Sequence, residues 1–135
     1  MTPLEVADEF LNAINRHDVA ALAALMTEDH LFVDSLGNEM RGRDTMRAGW
    51  RGYFAFCPDY SVAREHAIAD GPRVALFGKA GGTISDAGKL VPDNAWSIPA
   101  AWLAVIEGGL VREWRVYADN KPVYDITAKQ AAVSR

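Results

Sequence analysis

Asp34 ends the apolar run Leu31-Phe32-Val33. A carboxylate at the end of an apolar strand is partly desolvated, which suits it to take an acidic proton from carbon and return it elsewhere. Asp34 also opens the stretch Ser35-Leu36-Gly37-Asn38, where Asp is a common turn initiator, so a base and a turn residue are both consistent readings. His30 shares strand parity with Phe32 and Asp34, which points its imidazole to a pocket mouth as a second proton carrier; a hydrogen-bonded structural histidine is the alternative. His17, His30, His66 and Cys57 show no metal-ligand spacing, so no metal is expected. Cys57, just before Pro58, reads as a small buried hydrophobe. Gly78, Gly81 and Gly82 are followed by no Lys-Ser or Lys-Thr pair, so they make no phosphate loop and no cofactor is implied.

The elements that must position these groups divide the chain in two. Thr2, Pro3 and Glu5 form a helix-start signal, and Leu4, Ala7, Leu11 and Ile14, widened by Val6 and Phe10, give that helix one buried face to about Arg16. Asp18 caps a second short helix carrying Val19, Leu22, Ala23, Leu25 and Met26. A short strand follows over His30 to Asp34, then a turn at Leu36-Gly37-Asn38. A third helix begins near Arg43, carries Met46, Trp50, Tyr53, Phe54 and Cys57, and stops at Pro58. From Tyr60 the period falls to about two, with turn residues at Asp70-Gly71-Pro72, Asp86-Ala87-Gly88, Pro92-Asp93-Asn94 and Glu107-Gly108-Gly109. Four strands fit between them, over about 60–69, 73–85, 95–106 and 110–118, and Gly78, Gly81 and Gly82 mark a bulge or bend in the second. Helices first and a meander afterwards is an α+β pattern, with three helices on one face of a curved, mostly antiparallel sheet enclosing a pocket. Trp50, Tyr53 and Trp114 are the candidate walls, although ordinary core packing is the simpler reading, because large aromatics dominate small cores wherever they occur.

The 135 residues suit one domain, over 1–135, and the net charge of -4 with scattered Lys and Arg argues against nucleic acid. No apolar run approaches a membrane span and no basic segment leads into an apolar one near the start, so a cytoplasmic location is expected. One cysteine permits no internal disulfide. Trp96 and Trp102 have the parity opposite to Ala101. With Ala101 inward, they would join Ile98, Ala104 and Ile106 on the outer side of the sheet, an apolar patch that a homodimer would cover.

The order of elements, with Phe32-Val33-Asp34-Ser35-Leu36-Gly37 leading to Arg41-Gly42-Arg43 and the closing run Gly109 to Asp119, resembles the nuclear transport factor 2-like superfamily. This is the cone-shaped fold shared by ketosteroid isomerases, SnoaL-like polyketide cyclases and limonene epoxide hydrolases. The resemblance implies that Asp34 matches the isomerase aspartate that moves a proton between carbons. It also implies that Phe10 and Ala101 stand where those enzymes keep a tyrosine and a protonated acid, the oxyanion donors. Pro99, Ala101 and Val116 replace the Arg and Asp residues of the epoxide hydrolases. The SnoaL-like group is then the nearest comparison, and Asp119 the counterpart of its acid–base aspartate. Regular alternation turns Trp114, Val116 and Ala118 inward with Asn120, and Asp119 outward; Asp119 reaches the pocket only if the strand ends or bulges near Ala118. The expected function is cofactor-independent proton transfer, isomerisation or aldol-type cyclisation, on a hydrophobic carbonyl compound. Asp34 is its base, with Phe10, Phe32, Trp50, Tyr53, Ala101, Trp114, Val116 and Asn120 around the substrate. A non-catalytic binder of a hydrophobic small molecule is the alternative, and an accessory subunit that docks through its sheet a third.

Overall fold

The computed structural model describes residues 1–133. α1 (Pro3–Asn15) starts with the reciprocal cap read from the sequence, Glu5 N donating to Thr2 Oγ1 at 3.2 Å and Thr2 N to Glu5 Oε1 at 3.0 Å. α2 (Val19–Ala24) is capped by Asp18, which accepts from Ala21 N at 3.0 Å. β1 (Met26–Val33) and β2 (Glu39–Arg41) form a hairpin, and α3 (Arg43–Phe56) follows at once. β3 (Ser61–Asp70), β4 (Arg73–Asp86), β5 (Lys89–Glu107) and β6 (Leu110–Ala118) make an antiparallel meander, and α4 (Lys121–Val133) ends the described chain. The sheet order is β2-β1-β6-β5-β4-β3, with β1 parallel to β6. That pairing sets Phe32 beside Trp114 and brings the end of β1 to the end of the meander.

Several expectations are corrected. β1 begins at Met26 rather than His30, because Met26 pairs with Val111 on β6. The stretch Pro92-Asp93-Asn94 is not a turn: the chain reverses at Ala87-Gly88, both at positive φ, and β5 runs on through Pro92. The pairing slips between Thr83 and Ser85, opposite the place where proline cannot donate, and Asn94 Nδ2 donates to the Ile84 carbonyl there at 3.0 Å. α4 was not foreseen, because its apolar residues form only a weak stripe.

The parity of β5 is the largest correction. Trp96, Ile98, Ala100, Trp102, Ala104 and Ile106 are buried and face the helices, whereas Ala101 lies on the outer face of the sheet beside Pro99, Phe77 and Tyr117. The heavier apolar set goes to the covered side, where each fully buried large side chain contributes about 1.5–3 kcal/mol. The outer patch proposed from Trp96 and Trp102 is therefore absent. Gly82 is required beneath α3: a Cβ there would collide with Cys57 Sγ. Across the helix–sheet seam, Arg64 donates twice to Asp8, at 2.7 Å each.

Candidate functional site

Below the concave face lies a closely packed floor. Phe10 is fully buried, with ring centroids 4.6 Å from Trp114 and 6.1 Å from His30. His30 is also fully buried, and its Nδ1 lies 2.7 Å from the Val111 carbonyl, so the ring donates there. Its Nε2 has no hydrogen-bond partner. Burial pushes the imidazole pKa below its ordinary value, against the opposing effect of the Val111 bond. His30 is thus a neutral structural histidine under the pocket, not a proton carrier at its mouth, and Phe10 is core rather than pocket wall. Both corrections have one cause: α1 lies across the sheet from β3 to β6, and its Phe10 fills the space beside His30 and Trp114.

Above this floor is a cavity of about 470 Å³. α3 supplies Met46, Trp50, Tyr53 and Phe56; β5 supplies Trp96, Ile98, Ala100 and Trp102; β6 supplies Trp114, Val116 and Ala118. Val123, Tyr124 and Thr127 of α4 close one side. Ring contacts run along the wall from β1 to β5: Phe32 to Trp50 at 6.1 Å, Trp50 to Tyr53 at 6.4 Å, Tyr53 to Tyr60 at 4.9 Å and Tyr60 to Trp96 at 6.0 Å. The first three are edge to face and the last is stacked, and contacts of both kinds hold a wall rigid without filling the space in front of it.

The polar groups collect where β1 and β6 end. Asp34 lines the cavity just beyond Val33. Its Oδ1 accepts from Leu36 N and Asn38 N, both at 2.9 Å, and its Oδ2 from Asn38 Nδ2 at 3.1 Å. The turn role and the pocket position therefore coexist: the turn fixes the carboxylate in place and leaves part of Oδ2's accepting capacity free. Asn120 also lines the cavity, as alternation required, and donates through Nδ2 to Ser35 Oγ at 2.7 Å, tying the end of β6 to the Asp34 turn. Asp119 does not line it. Its Oδ1 accepts from Lys121 N at 2.9 Å, so it starts α4 instead of serving as an acid or base in the pocket.

Of the residues read from the sequence, Asp34, Phe32, Trp50, Tyr53, Trp114, Val116 and Asn120 meet at the cavity, while Phe10, His30, Ala101 and Asp119 do not. Tyr60, Trp96, Trp102 and the α4 residues were missed. Period-two burial of bulky side chains along β5 was the available signal for the two tryptophans. Cys57 is fully buried behind this wall, and burial first and Asp59 second push its thiol up to about 11, so it is inert. Among the described residues, no group of three His, Cys, Asp or Glu side chains is placed to hold a metal ion, and no helix is long and apolar enough to cross a membrane.

No curated protein matches the sequence significantly. Among solved structures, similarity extends to a protein of Shewanella denitrificans designated a SnoaL-like polyketide cyclase (TM-score 0.80, 17% identity, 94% of this chain and 97% of that one). It extends also to a Catenulispora acidiphila protein of ketosteroid isomerase-like fold, solved with trimethylamine (TM-score 0.80, 22% identity, 95% of each chain). An LEH-like epoxide hydrolase of M. tuberculosis is similar too (TM-score 0.77, 16% identity, 96% of this chain and 92% of that one). At these identities the likeness shows the fold, which is nuclear transport factor 2-like. The SnoaL-like domain family model matches residues 7–114, from α1 through Trp114 in the cavity wall, and the chain belongs to that family.

Proposed function

We propose that the protein is a cofactor-independent acid–base enzyme that takes a hydrophobic carbonyl compound into the aromatic cavity and moves a proton on it, with Asp34 as general base. One observation carries this reading: Asp34 is the one charged side chain among the described residues that line the cavity. Among apolar walls it is the one group placed to take a proton from a bound substrate. The clasp from Leu36 and Asn38 holds it in one orientation, as a positioned base requires. The test is exchange of α-protons into deuterated water for a panel of hydrophobic ketones and β-keto esters. Wild type is expected to catalyse it and Asp34→Asn to lose it; bound compounds that exchange no faster than in buffer would reject the enzymatic reading.

The second reading, a non-catalytic binder of a hydrophobic small molecule, is favoured by the same three hydrogen bonds, which also suit a purely structural turn. It predicts binding that Asp34→Asn leaves intact. We also propose a cytoplasmic homodimer joined through the outer sheet face, on Phe77, Tyr117, Pro99 and Ala101 instead of the tryptophans. Phe77 and Tyr117 are 39% and 56% exposed, and a charge at either position should yield a monomer by light scattering.

A further inference from the structure

The oxyanion donors that the isomerase comparison calls for, at Phe10 and Ala101, are missing from the cavity, yet a carbonyl ligand there needs a donor for its oxygen. Three phenols line the cavity, and of these Tyr124 on α4 is 45% exposed whereas Tyr53 and Tyr60 lie deeper in the wall. Tyr53 projects from α3, three residues beyond Trp50, and Tyr60 from the segment leading into β3. Their rings meet edge to face at 4.9 Å, and Tyr60 is only 9% exposed. Neither hydroxyl makes a hydrogen bond with any described residue. Neither phenol oxygen is itself fully buried, so both hydroxyls open onto the cavity, and two donors side by side with no protein acceptor are furnished for an acceptor brought by a ligand.

The other polar groups near this end do not supply one. The Trp96 indole N–H lies against the Cys57 sulfur, a weak acceptor, and makes no stronger bond. Asp59 is occupied by Thr83, accepting from its N at 2.6 Å and its Oγ1 at 2.8 Å. His17 Nε2 lies 2.7 Å from the Tyr60 carbonyl, which fixes the Tyr60 backbone and leaves its ring to the cavity. Burial first, and neighbouring phenol and thiol groups second, push the pKa of both tyrosines above their ordinary value, so each hydroxyl keeps its proton and can donate it across the whole working pH range.

We propose that Tyr53 and Tyr60 together form the donor site of the cavity, binding the carbonyl oxygen of the ligand while its hydrocarbon body lies along the Trp50–Trp96 wall. The assignment rests on the reading of the cavity as a site for hydrophobic carbonyl compounds, and it names the part of the molecule the site selects. A ligand with an oxygen acceptor at one end of a flat apolar body fits; a pure hydrocarbon leaves both phenols unpaired. If Asp34 removes an α-proton, the electron pair of the C–H bond moves into a new C=C bond and the carbonyl oxygen becomes an enolate oxygen. The two phenols then stabilise that developing charge, and return of the proton from Asp34 to carbon restores the carbonyl.

A naphthyl methyl ketone and its isopropyl hydrocarbon analogue, close in shape, test this by quenching of tryptophan fluorescence, together with the infrared carbonyl stretch of the bound ketone. Wild type should bind the ketone about tenfold more tightly than the hydrocarbon, and the stretch should move to lower frequency on binding. Tyr53→Phe and Tyr60→Phe should each reduce the preference, and the double variant should abolish it and the frequency shift while hydrocarbon affinity does not fall. Equal binding of both probes with an unshifted stretch in wild type overturns the donor site and leaves the hydrophobic cavity standing. Binding of neither probe overturns the cavity reading, and the donor site with it. The infrared result on wild type requires no variant to fold.

Discussion

The floor under β1 and β6 and the wall between α3 and β5 are built from the same residue types and differ in what lies in front of them. Phe10, fully buried, packs between the equally buried His30 and Trp114, and Trp114 marks the border, since it also lines the cavity. Tyr53, Tyr60 and Trp96 touch one another just as regularly but face about 470 Å³ of space. Aromatic composition is therefore no guide to function by itself. What separates core from site is whether a helix packs onto the rings, as α1 does below, or stands off from them, as α3 and α4 do above.

The floor should carry the larger share of stability. Phe10→Ala leaves a cavity where three rings meet and should cost about 3–5 kcal/mol in urea unfolding. A loss near 1 kcal/mol would put Phe10 at the rim of the core and blur the distinction. The next effect is a pH dependence. Because burial lowers the His30 pKa below 6.5, the unfolded state binds more protons than the folded one between 6.5 and that lower value. The contribution is fully present above pH 6.5 and is lost as the pH falls, with a slope of at most about 1.4 kcal/mol per pH unit. His30→Gln should flatten this part of the stability profile, measured by denaturation from pH 7 to about pH 5. A wall residue should matter less: Tyr53→Ala removes a ring that already faces open space and should cost about 1 kcal/mol, with loss of ligand affinity the larger change. Smallest is Asp8→Asn, which weakens a pair about one-third exposed on each side and should cost about 0.2–1 kcal/mol, diminishing with salt.

The contrast between floor and wall also explains what could be read from the sequence. Local chemistry was legible: the Thr2–Glu5 box, the Asp18 cap, the stop after α3 and the turns at Gly71 and Gly108 each follow from a few adjacent residues. Asp34, Trp50, Tyr53, Trp114, Val116 and Asn120 came to the site because helical spacing or strand parity decides their direction. β5 was not decided that way. Both of its alternating sets contain apolar residues, and only the cover that α1 and α4 give one face of the strand settles that Trp96 and Trp102 turn in and Ala101 out. His30 lies on the correct face of β1 but below the cavity, a difference of depth that parity does not encode. Tyr60 entered the site through the irregular segment between α3 and β3, where no period applies. α4, with its weak stripe, gains its place from Asp119 and from Val123 against the cavity rather than from its own pattern.

The central claim is that the space between α3 and β5 is a ligand site and not a loosely drawn core, and Ala100→Phe tests it most directly. Ala100 lines the cavity between Ile98 and Trp102, 8% exposed. With room in front of it, the larger ring should leave the unfolding free energy unchanged or raised while binding of the naphthyl ketone is lost. A destabilisation of about 1–3 kcal/mol, the usual result of overfilling a packed core, with ketone binding retained elsewhere on the molecule, would contradict the account.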